Sequence, residues 1–244
     1  MIKKIINIIP IICFIIGFAI IFDGLGGIPF MRNHLGMVTT YANEQEEFTL
    51  FHPDHLTSAN DINLPTSDSA SHFKTMSTCH QTISTDRCYQ ILTKAFHLVP
   101  NTIIDMIYEQ GYQIMLIGND IRELVRLETG WQPNYYYDGV TFPGYEGYTQ
   151  IWSSAQGGVG ILIHEIGHAY DFSLNKISSS EDVSTLFQSE AKKLFFINAI
   201  ALSNTSEFFA ETFSLYLTKP QLLKLFAPNT YTLLEDLIES NQMD

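Results

Sequence analysis

Basic residues are scarce in this 244-residue chain, with 13 Lys and Arg against 26 Asp and Glu and a formal net charge of −13. No Lys/Arg cluster relieves that imbalance. An acidic surface repels phosphate backbones, so nucleic acid is excluded as an expected partner, and anionic membrane surfaces are disfavoured. Cysteine is scarcer still. Of three, Cys13 lies in an apolar leader, and Cys79 and Cys88 alone cannot make a disulfide-rich framework. Charged residues amount to only 16%, but hydrophobic residues at 45% exclude wholesale disorder. There is no internal repeat, and the length suits one sizeable domain behind a leader.

The leader has a recognisable form. Lys3 and Lys4 precede an apolar run over 5–22 broken only by Asn7 and Pro10. Positive charge ahead of such a run keeps the N-terminus inside and exports the remainder of the chain. Gly17-Phe18-Ala19 offers a small-x-small cleavage site, yet the run is nearly long enough to remain as an anchor spanning ~20 residues, so both fates stay open. The expected location is therefore secreted, or anchored at the outer face of a bacterial cytoplasmic membrane. Only this N-terminal segment would touch the membrane. An oxidising exterior permits a Cys79–Cys88 bridge, whereas Cys88, Ile91, Leu92 and Ala95 share one helical face and equally describe a buried thiol.

Composition divides the chain into three segments: a leader over 1–22, a polar and loosely structured lead-in over 23–85, and a domain over 86–244. His52-Pro53-Asp54-His55 and Cys79-His80 contain metal-binding residue types, but without ligand spacing they read as exposed loop residues. Thr85 or Asp86 can cap a helix ending before Pro100, a second runs from Asn101 to Gly111, and 112–117 reads as a strand. Asn119 would cap another helix toward Arg126. The Gly-, Pro- and Tyr-rich stretch 131–148 reads as loop, 149–153 as an edge strand, and glycines then lead into a helix reaching Phe172. Helices are expected at 182–197, 205–217 and 221–240. Interleaved helices and strands predict an α+β core.

Leu162-Ile163-His164-Glu165-Ile166-Gly167-His168 carries the chemistry. Residues four apart on a helix lie one above the other, so His164 and His168 present two imidazoles to one point. Glu165 projects about 60° from His168, near enough to hold a water without ligating a metal. The motif comes after a strand and a glycine turn and sits among Ile161, Ile163, Ile166 and Ala169, which argues against a solvated helix with a chance pattern. A catalytic zinc needs a third protein ligand from a neighbouring element and an open position. Asn204-Thr205-Ser206-Glu207-Phe208-Phe209-Ala210-Glu211 can supply it, because Glu207 and Glu211 stack on one helical face. Glu207 as ligand leaves Glu211 to accept a hydrogen bond from an imidazole. A capping box between Asn204 and Glu207 would reverse those roles.

His164-Glu165-Ile166-Gly167-His168-Ala169 resembles the HExGHA helix, and Glu207-Phe208-Phe209-Ala210-Glu211-Thr212-Phe213 the EFFAExF motif, of the anthrax lethal factor catalytic domain and the Pro-Pro endopeptidases. The resemblance runs over about 102–238. It implies a zincin-like fold, with a small mixed sheet, the motif on an active-site helix and a C-terminal helical part. It also implies one Zn2+ ligated by His164, His168 and Glu207, with Glu211 behind a ligand and Glu165 as the base of a metal-activated water. The implied activity is extracytoplasmic endopeptidase action on an extended peptide or protein substrate. One departure stands out: Ile200 occupies the place of a family tyrosine that donates a hydrogen bond to the oxyanion. Either the donor is missing, which costs ~100- to 1,000-fold in rate and makes a slow enzyme, or Tyr135, Tyr136, Tyr137, Tyr145 or Tyr148 supplies it. A zinc-fold surface-binding module with weakened turnover, or a toxin-type protease subunit, are the alternatives.

Overall fold

A computed structural model describes residues 56–118, 121, 138–145, 148–195 and 200–240. The chain divides into units at 1–46 and 47–244, and all the described residues belong to the second. The leader, His52 to His55 and the helix expected after Asn119 lie outside the described residues, and among those described no helix is long and apolar enough to cross a membrane.

Five strands form one mixed sheet: β1 (Leu56–Ser58), β2 (Ser77–His80), β3 (Gln113–Ile117), β4 (Gly139–Tyr145) and β5 (Tyr148–Ser154). Their order is β1-β2-β3-β5-β4, parallel through β2, β3 and β5 and antiparallel at both ends. Helices α1 (Asp68–Met76), α2 (Thr85–Leu98) and α3 (Asn101–Glu109) precede β3, and α4 (Gly158–Ser173) comes after β5. The C-terminal part is helical, with α5 (Glu181–Leu194), α6 (Thr205–Thr218), α7 (Pro220–Phe226) and α8 (Pro228–Ser240). This is a mixed α+β architecture.

A strand covered on both faces must be apolar on both, and Ile114, Met115, Leu116 and Ile117 of central β3 are all buried. Met115, Ile117 and Trp152 share one face with Ile121, Val140 and Phe142. Alternation sends Ile114, Leu116 and Ile151 to the other, where α4 packs over β4 and β5. Helix α4 is apolar nearly all round because it is also enclosed by α2, α3 and α6.

The lead-in contains more regular structure than its composition suggests, since β1, α1 and β2 fall within 56–80. These elements are short, and α1 commits only Ala70, Phe73 and Met76 as apolar buried residues, too few for a helical period to stand out. Ser67 caps α1 by accepting from Ala70 N. Cys79 and His80, expected in an exposed loop, are buried in β2. Cys79 is disulfide-bonded to Cys88 of α2, so a bridge rather than a free buried thiol ties strand to helix. The stretch read as loop contains β4, whose glycines and Pro143 hide the alternation; an edge strand tolerates a proline that a central strand would not. The segment 149–153 is correspondingly not an edge, because β5 lies between β3 and β4.

Smaller shifts have local causes. Ser84, not Thr85 or Asp86, caps α2, and Pro228 restarts the tail as a separate helix. Glu190 of α5 accepts from the amides of Asn229 and Thr230, satisfying donors at the start of α8.

Helices α4 and α6 pack intimately. A Cβ on Gly167 would stand 3.1 Å from Ala210 Cα and 3.2 Å from its carbonyl oxygen, so backbone approaches backbone here. Replacing Gly167 by Val should destabilise the domain by about 1–3 kcal/mol, the usual cost of overpacking. A fall in the urea unfolding midpoint checks this; an unchanged midpoint would mean the contact is slack.

Candidate metal centre

Helix α4 brings its two imidazoles together edge to face, as neighbours on one helical face, with ring centroids 4.8 Å apart and planes at 84°. Helix α6 is capped by Asn204, whose Oδ1 accepts from Glu207 N at 3.0 Å. That is half of the capping box; the Glu207 carboxylate instead turns to α4. Its Oε2 lies 3.3 Å from His164 Nε2 and 3.6 Å from His168 Nε2. One ligand atom from each of the three residues lies within 4.8 Å of the others.

The donor set fits a catalytic zinc. Bonds of ~2.0–2.1 Å at tetrahedral angles place ligand atoms roughly 3.3 Å apart; both distances from Glu207 Oε2 are close to that, and all three ligand atoms lie within 4.8 Å of one another. Three protein donors also leave a coordination position open, unlike a closed structural site.

Each imidazole is held from behind by the same helix. Glu211 Oε2 is 2.9 Å from His164 Nδ1, and Ser206 Oγ is 3.3 Å from His168 Nδ1. With Nδ1 engaged, Nε2 is the nitrogen directed at the common point. The sequence singled out Glu211 and missed Ser206, although its place beside Glu207 on the start of α6 was a signal. It also missed β4. Thr141 Oγ1 donates to Glu165 Oε2 at 2.8 Å, and a Cβ on Gly139 would overlap the Glu165 carboxyl. No local pattern announces either residue; only the fold brings β4 against α4.

Electrostatics here come from packing negative groups around imidazoles. Burial alone would lower the His164 pKa, but hydrogen bonds to Glu207 and Glu211 outweigh it and raise it well above the ordinary value. Burial likewise favours a neutral Glu207, yet its bonds to His164 and His168 hold the carboxyl far below the usual range. For Glu165 burial wins and pushes the pKa up, against the positive pull of His164 and His168 and the Thr141 hydrogen bond. A buried carboxyl with a raised pKa is suited to taking up a proton.

Residues 80–237 match the family described as anthrax toxin lethal factor, N- and C-terminal domain. The chain belongs to the lethal factor family. The match begins earlier than the motif resemblance, at β2. A curated relative, the Pro-Pro endopeptidase of Paenibacillus alvei, is 26% identical over 140 residues, covering 49% of this chain and 61% of the relative. The chain thus spans about three fifths of that relative's length. The solved structure of the Pro-Pro endopeptidase from Paenibacillus alvei shares the fold with a TM-score of 0.56, at 21% identity over 68% of this chain and 99% of that one. Ile200, which the motif resemblance sets in the place of a family tyrosine, is 39% exposed in the turn before α6 of this lethal factor-type domain. The side chains of Tyr135, Tyr136, Tyr137, Tyr145 and Tyr148 lie outside the described residues.

A raised His164 pKa means that the metal-free site carries a proton which a ligating Nε2 must lose. Zinc affinity should therefore fall as pH is lowered from about 8 to about 6, by roughly tenfold per unit for one displaced proton. Calorimetry in two buffers of different ionisation enthalpy measures the release directly; a buffer-independent heat would contradict the assignment.

Proposed function

We propose that this chain is a zinc-dependent endopeptidase acting outside the cytoplasm on extended peptide segments. The convergence of His164, His168 and Glu207 around one point, with the Glu165 carboxyl beside it, carries the reading. Family membership supports it, as does the name of the Paenibacillus alvei relative. His164, His168 and Glu207 would hold a single zinc ion. Bound there, zinc acts as a Lewis acid that lowers the pKa of a water toward about 7 and polarises a peptide carbonyl.

The chain's own groups do the rest. Glu165 takes the proton of the attacking water and delivers it to the leaving amine. Glu211, an acceptor-only carboxylate, keeps His164 in the tautomer that presents Nε2, and the Ser206 hydroxyl engages Nδ1 behind His168. An extended substrate would add to the edge of β4, the outer strand of the sheet among the described residues, using main-chain hydrogen bonds. Export is supported by the Lys3-Lys4 leader and by the Cys79–Cys88 bridge, which requires an oxidising compartment. Whether the leader is cleaved or kept as an anchor, the domain would face the same side.

A second reading, a zinc-fold binding module with weakened turnover, is favoured by Ile200 alone. One pair of measurements separates the two. Glu165→Gln should lower kcat/KM against a peptide library by at least ~100-fold while retaining one zinc per chain by elemental analysis. Equal turnover by the variant would remove Glu165 from the mechanism. A zinc-loaded wild type that cuts nothing would select the binding module.

A further inference from the structure

Helix α4 supplies Glu165, but strand β4 decides where its carboxyl sits. The Thr141 hydroxyl has two acceptors within reach, Glu165 Oε2 at 2.8 Å and the main-chain carbonyl oxygen of the same residue at 2.9 Å. A hydroxyl carries one proton and can satisfy only one of them at a time. Gly139, two residues earlier on the same face of β4, leaves its Cβ position to the Glu165 carboxyl; Oε1 is the nearest of the overlapping atoms.

We propose that Thr141 is a positioning residue for the base: by donating to Oε2 it fixes the Glu165 carboxyl against β4 and leaves Oε1 for the proton of the attacking water. This rests on the peptidase reading above. A carboxylate is the stronger of the two acceptors, so it takes the hydroxyl in preference to the main-chain oxygen beside it. Gly139 supplies the room that the carboxyl needs in this pose. The threonine gives no proton to the reaction: one proton enters Glu165 from water and leaves on the amine.

The test compares Thr141→Val, which keeps the shape and removes the hydroxyl, with Thr141→Ser, which keeps the hydroxyl. Both are assayed on the library peptide that the wild type cuts fastest. Thr141→Val should lower kcat by about 10- to 100-fold, the worth of one hydrogen bond to a charged group, with KM and zinc content unchanged. Thr141→Ser should stay within about threefold of wild type. Should Thr141→Val not fold, Thr141→Ala takes its place in the comparison, with the unfolding midpoint read alongside. Wild-type kcat in Thr141→Val, or Thr141→Ser as impaired as Thr141→Val, overturns the inference while leaving the peptidase reading intact. A wild type and Glu165→Gln that are equally inert overturn both.

Discussion

The contact between helices α4 and α6 is the constraint on which the rest depends. It is close enough for backbone to meet backbone at Gly167 and Ala210, and it brings Oε2 of Glu207 to within 3.3 and 3.6 Å of two imidazole nitrogens. Uncompensated, such a partly buried cluster of carboxylates and imidazoles is costly. Apolar packing around it supplies the compensation: Tyr170 of α4 lies against Phe209 and Phe213 of α6, and its hydroxyl donates to Leu237 O of α8. The two helices are locked by residues one face away from those of the candidate metal centre.

Two elements thus provide the candidate metal donors, and a third reaches the carboxyl beside them. Helix α4 sets the spacing of the imidazoles by its own geometry, and α6 adds the third donor together with a partner for each Nδ1. Strand β4 reaches Glu165 from the sheet side through Gly139 and Thr141. The Glu165 carboxyl is thus held by a strand and the candidate metal donors by helices, so the two can be changed separately.

Much of the site was legible in the sequence because its information is local. His164, Glu165 and His168 are related by helical rotation alone, and Glu207 and Glu211 by one turn of a second helix. The choice between Glu207 and Glu211 was not local; it depends on where α6 lies relative to α4, and the motif resemblance, rather than periodicity, favoured Glu207. The sheet was less legible. β4 carries two glycines and a proline that mask its alternation, and the position of β5 between β3 and β4 is a matter of long-range pairing. For the same reason Thr141 had no signal: its role comes from a contact across 24 residues of sequence. The short elements within 56–80 escaped because three to nine residues show too little period to recognise.

The central claim is that one zinc ion sits where Nε2 of His164, Nε2 of His168 and a carboxylate oxygen of Glu207 meet. A crystal of the zinc-loaded protein, with anomalous differences collected on both sides of the zinc absorption edge, locates the ion directly. The expected result is one peak within ~2.0–2.2 Å of those three atoms, with a solvent or substrate oxygen in a fourth position. A peak bound through Nδ1, one held by Glu211 in place of Glu207, or none between α4 and α6, would contradict the assignment.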